Sequence, residues 1–196
     1  MRRALLATAL VLVPTLAFAH PGLPGHTHGF ADGVLHPLTG IDHILAMVAV
    51  GLFAAQLGGR ALWLVPASFV AVMAAAGVAG MSGVTLPLTE TGIALSIIAL
   101  GGVIALRVSM PVAAAMAMVG FFAVFHGYAH GAEAPDNVSG LLYGMGFVAA
   151  TALLHGAGIG IGLALGRLEG AVGRNLARVA GGAAAVIGVV MLTGAV

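Results

Sequence analysis

Cysteine is absent from this 196-residue chain, which excludes thiolate metal sites, disulfides and thiol catalysis together. Charge is scarce as well: 7% of residues are charged, and the formal net charge is +1. A soluble globule of this length needs a polar shell that such a composition cannot supply. The weak positive balance leaves no basic surface for nucleic acid. Aromatic residues make up only 6%. What fills the chain instead is apolar and small, with 61% hydrophobic residues, 31 glycines and a mean hydropathy of +1.14. Small residues let helix backbones approach one another in lipid, so the composition predicts an all-α polytopic membrane protein.

The first residues read as a secretory signal peptide over 1–19. Arg2 and Arg3 form the positive region, Ala4 to Leu16 the apolar core, and Ala17-Phe18-Ala19 the site cut before His20. A His-, Gly- and Pro-rich exterior leader is expected over 20–34, and a transmembrane domain over 35–196. Six apolar stretches fill that domain, at about 35–57, 61–80, 88–106, 110–130, 140–165 and 176–195. Each approaches the roughly 20 residues that cross a hydrocarbon core, so six transmembrane helices are expected. Arg60, Arg107, Arg167, Arg174 and Arg178 fall in the first, third and fifth connections, whereas Asp32, Glu90, Glu133 and Asp136 fall on the opposite side. The positive-inside rule makes the arginine face cytoplasmic. Both mature termini would then face the periplasm of a bacterial inner membrane, in agreement with signal cleavage.

Against this uncharged background two clusters of metal-ligand residues stand out, His36-Pro-Leu-Thr-Gly-Ile-Asp42-His43 and His126-Gly-Tyr-Ala-His130-Gly-Ala-Glu133. Imidazoles and carboxylates suit a borderline divalent metal, and they are costly to place beside lipid. On one helix beginning near His36, with Pro37 in its first turn, His36 and His43 would share nearly one face. Asp42 could either bind metal or fix the tautomer of an imidazole, and spacing leaves both roles open. His126, His130 and Glu133 would align at the exterior end of a continuing helix, loosened by Gly127 and Gly131 so that freed carbonyls could add oxygen ligands. The bland alternative is a polar loop from Ala129. Glu90 is a further candidate, although an acid at a helix N-terminus also has a purely structural explanation. His155 lies deep in the fifth stretch and suggests an inner relay. Thr39, Ser68, Ser96 and Thr151 could line a polar path, but such hydroxyls usually bond back to their own helix. In the leader, His20, His26 and His28 could collect metal at the mouth. Gly158, Gly162 and Gly166, every four residues, read as a helix-packing groove.

The first motif, running on through Ile44-Leu45-Ala46-Met47-Val48-Ala49-Val50-Gly51-Leu52, resembles the HupE/UreJ family of nickel permeases. So do the His126 to Glu133 motif, Glu90 and the Leu154-His155-Gly156 step. The resemblance covers the whole mature chain, and variation is confined to spacer and packing positions such as Phe53 and Tyr128. The larger nickel/cobalt permeases differ, having four residues between the corresponding His and Asp where five separate His36 from Asp42. The resemblance implies uptake of nickel, or cobalt, for hydrogenase or urease maturation, with cytoplasmic metallochaperones as candidate partners. The metal is then cargo, and no resident cofactor is expected.

The expected mechanism follows from the ligand types. A hydrated ion would be collected at the exterior mouth by His36, Asp42, His43, His130 and Glu133, with His126 and Glu90 beside them, and would pass inward near His155. Because imidazole binds metal only when deprotonated, uptake should fall as pH drops through about 6.5. The rival is an intramembrane zinc hydrolase that uses the same cluster, with Asp42 or Glu133 as general base.

Overall fold

The computed structural model describes residues 29–134, 139–169 and 171–194. The expected signal peptide, His20, His26, His28 and Asp136 lie outside these residues. Among the described residues all regular structure is helical, in seven helices. They are α1 (Gly29–Thr39), α2 (Ile41–Leu57), α3 (Ala61–Met81), α4 (Thr89–Ala105), α5 (Val112–Ala132), α6 (Gly140–Gly166) and α7 (Val172–Leu192). α3, α5, α6 and α7 are long and apolar enough to cross a membrane, and α1 with α2 would add a fifth, bent span. α4 has 17 residues, about 26 Å of helix, at the short limit for a span. No more than 33% of the apolar window of any long span is buried within the protein. The outer surface accordingly shows Trp63, Leu106 and Leu153, each more than 70% exposed, as lipid contact demands.

The structure corrects the expectation of one continuous first helix from residue 35. The chain is already helical at Gly29, six residues inside the expected leader, and it bends by 83° between α1 and α2. Pro37 therefore sits near the end of α1, not in the first turn of a helix. Two local features make the break. Thr39 Oγ1 donates to the His36 carbonyl at 2.8 Å, satisfying an end-of-helix acceptor. Gly40 is then extended, at φ −87° and ψ 116°, and its carbonyl accepts from Ile44 N at 3.1 Å to begin α2.

α2 is the central element and touches all six other helices. Nine of its 17 residues are buried, so its apolar character on every side reflects protein contact as much as lipid. Around it, α3 runs along α5, α4 along α7, and α6 along both α1 and α2. Glycine sets these approaches. A Cβ on Gly127 or Gly131 would run into the Met73 or Gly77 carbonyl of α3, and one on Gly51 into the His155 carbonyl of α6. Gly127 and Gly131 thus do not loosen α5, which stays helical through Ala132; they let α3 close on it. Gly158 and Gly162 act in the same way against Val48 and Ala55 of α2, while Gly166 faces open space.

The two ends of the bundle differ in chemistry. α6, about 40 Å long, starts beside the histidines, where Tyr143 meets the ring of His36. It ends at a cavity of about 280 Å³ lined by Gln56, Arg107 and Arg174.

Candidate metal site

Three helices bring the ligand residues together. α1 supplies His36 near its end, α2 supplies Asp42 and His43 in its first turn, and α5 supplies His126 and His130 in its last turns, with Glu133 just beyond. The 83° bend matters here. It turns His36 away from the axis of α2 and onto the end of α5, where its Nε2 lies 3.2 Å from Glu133 Oε2. One ligand atom from each of His36, His130 and Glu133 falls within 4.8 Å of the others, close enough for one ion with bonds of roughly 2.0–2.2 Å. An ion there would replace the proton now shared by His36 and Glu133.

His130 is the hub. Its ring lies 4.7 Å from that of His36, 4.1 Å from that of His43 and 3.9 Å from Phe147, between ring centres. The His43 ring is also 5.1 Å from that of His126. The imidazoles therefore form a continuous chain, His36 to His130 to His43 to His126, running from the half-buried mouth into the fully buried interior.

Outer hydrogen bonds fix which nitrogen of each inner ring is free. Asp42 Oδ1 is 2.8 Å from His43 Nδ1, and a carboxylate only accepts, so His43 Nδ1 carries the proton. In the neutral ring His43 Nε2 keeps its lone pair, buried and unpartnered. This contact is the one the tautomer-fixing role of Asp42 requires. Gly40 makes room for this pair, because a Cβ there would stand 2.7 Å from Asp42 Oδ1 and 3.0 Å from His43 Nδ1. His126 is treated likewise by Ser96. The Ser96 hydroxyl donates to the Ile93 carbonyl at 2.6 Å and lies 2.8 Å from His126 Nε2. With its one proton spent, Ser96 accepts from His126 Nε2, which leaves Nδ1 as a buried lone pair. Both ring nitrogens of His130 are buried without a partner. Unsatisfied imidazole nitrogens are expensive in an apolar interior, and a passing metal ion is the partner their chemistry fits.

Not every candidate joins the cluster. Glu90, exposed in the first turn of α4, is within electrostatic reach of Asp42, Glu133 and His43; it adds negative charge to the mouth. His155 stands apart in α6, buried, with both ring nitrogens unpartnered and the Phe69 ring 5.2 Å away. Thr39 and Ser68 bond back to their own helices, and Thr151 reaches Met73 Sδ at 3.7 Å. Sequence reasoning missed Tyr143, Phe147 and Phe69, which wall the imidazoles. Tyr143 carried a faint signal as one of only two tyrosines in the chain.

The chain matches the family described as HupE / UreJ protein over residues 8–191. It is 48% identical, over 186 residues and 95% of each chain, to Protein HupE of Rhizobium leguminosarum bv. viciae. No solved structure matches it at a significant level. A match over nearly the whole length, including both histidine motifs, shows that this chain belongs to the HupE/UreJ family.

Proposed function

We propose that this protein is a secondary permease or facilitator that imports a divalent transition metal, nickel first and cobalt second, from periplasm to cytoplasm for hydrogenase or urease maturation. The observation that carries the reading is the chain of four imidazoles flanked by Asp42 and Glu133, whose inner nitrogens are buried, oriented and free. In this reading Glu90 and Glu133 draw the hydrated ion to the mouth by charge. His36, His130 and Glu133 replace part of its water. His130 then shares the ion with His43, and His43 with His126, so each step exchanges one neutral ligand for another. Such weak, multiple sites suit passage, since a cage binding too tightly would hold its cargo. His155 receives the ion below. Family membership supports nickel and cobalt through the resemblance to nickel permeases, and both ions suit imidazole ligands. The arginine-bearing end of the bundle is the cytoplasmic exit under the positive-inside rule.

Two histidines and a glutamate are also the ligand set of some catalytic zinc sites, so a hydrolase remains the second reading. Uptake of radiolabelled nickel by proteoliposomes, with cobalt and zinc as competitors, separates the two. Transport predicts saturable accumulation, lowered about tenfold to a hundredfold by Asp42→Ala and by Glu133→Ala. A lumen that stays empty of metal with the wild-type protein would sink the permease, and wild-type accumulation by both variants would remove these carboxylates from it.

A further inference from the structure

The outer imidazole chain and His155 pack against the same phenyl ring. Phe69, on α3, is fully buried, with its ring centre 5.7 Å from that of His126 and 5.2 Å from that of His155. Both imidazoles have unpartnered ring nitrogens. We propose that Phe69 is the gate of the metal path, an apolar plug that closes the outer cluster off from His155 and swings aside to let the ion through. The proposal rests on the transport reading above.

The chemistry of the ring argues for a barrier. A phenyl offers no lone pair, so Phe69 itself can take no part in passing an ion from His126 to His155 by ligand exchange. Water is excluded for the same reason, because Phe69 belongs to a buried core with Phe53, Val65 and Met73. Hydrophobic constrictions of this kind gate by dewetting. Without one, neighbouring imidazoles and trapped water would also conduct protons down the metal path.

The helix carrying Phe69 is built to yield at this point. Pro66 lies inside α3, three residues before Phe69, where its missing N–H leaves the Leu62 carbonyl without its helical partner. Ser68 Oγ donates to the Val65 carbonyl at 2.8 Å, a back-bond that bends helices. Two helix-weakening features thus lie within one turn of this buried aromatic, and they suit a ring that must move.

The test uses proteoliposomes that report nickel, manganese and proton influx with internal dyes. Phe69→Ala should raise proton leak and manganese influx about tenfold or more. Phe69→Leu refills the apolar volume and should restore discrimination. Wild-type flux and leak in a Phe69→Ala protein that binds nickel normally would overturn the gate and leave the permease standing. Absence of nickel flux in the wild type would overturn the permease, and the gate with it. Should Phe69→Ala fold poorly, Phe69→Val, which removes the ring without adding a ligand, gives the same decision by the same leak and influx measurements.

Discussion

At the scale of single residues, the site depends as much on groups that never touch metal as on the ligands. Ser96 is the clearest case. Its hydroxyl is committed to Ile93, so it holds His126 by accepting from Nε2 and thereby aims the Nδ1 lone pair. Ser96→Ala should therefore weaken nickel binding about tenfold, measured by titration of purified protein, while the helical circular dichroism signal is unchanged. Affinity equal to wild type would mean that the Ser96 contact plays no part in orienting His126. Both histidine motifs and their carboxylates were legible in the sequence, because imidazoles in an uncharged chain stand out by type alone. Ser96 was legible as a hydroxyl that could line a polar path or bond back to its own helix. It does so, and its second bond runs to a residue 30 positions away, beyond the reach of any local pattern.

At the scale of helices, hydropathy located α3 to α7 to within a few residues, since a run of apolar residues long enough to cross lipid is a local property of the chain. The first stretch was misread for an instructive reason. His36, Pro37, Thr39, Asp42 and His43 interrupt the apolar run around Gly40, but these residues were read as ligands and a helix start, and only backbone conformation and the Thr39 bond reveal the turn among them. The break has a consequence for the site. Gly40 leaves room for the Asp42–His43 pair, and a Cβ would crowd both polar atoms. Gly40→Ala should accordingly disturb the His43 tautomer and lower nickel affinity about tenfold, whereas Gly156→Ala, at a helical glycine with open space around it, should leave affinity unchanged. Equal affinities in calorimetric titrations of the two variants would detach the bend from metal binding.

At the scale of the whole molecule, a polar, histidine-lined end and an arginine-lined end are joined by a bundle whose outer surface is apolar. The proposed orientation places the histidines outside and the arginines inside, and the cysteine-free sequence makes this easy to check. Single cysteines introduced by Ala134→Cys and Leu168→Cys, both next to helix ends, should be labelled from opposite sides of intact cells by an impermeant thiol reagent. Ala134→Cys should react from outside and Leu168→Cys only after permeabilisation; the reverse pattern would make the protein face the other way and turn import into export.

Composition by itself determined that the chain suits a bilayer, that any metal ligand must be something other than a thiolate, and which imidazoles and carboxylates could supply one, because these are properties of residue type and short-range periodicity. Only the tertiary structure decided that His36 reaches Glu133 across a bend, that His130 is the hub, that Asp42 and Ser96 bond to the rings of His43 and His126, and that Phe69 packs against both His126 and His155. Those relations depend on how closely helices far apart in sequence approach one another, and that distance is set where glycine lets one backbone rest against the next.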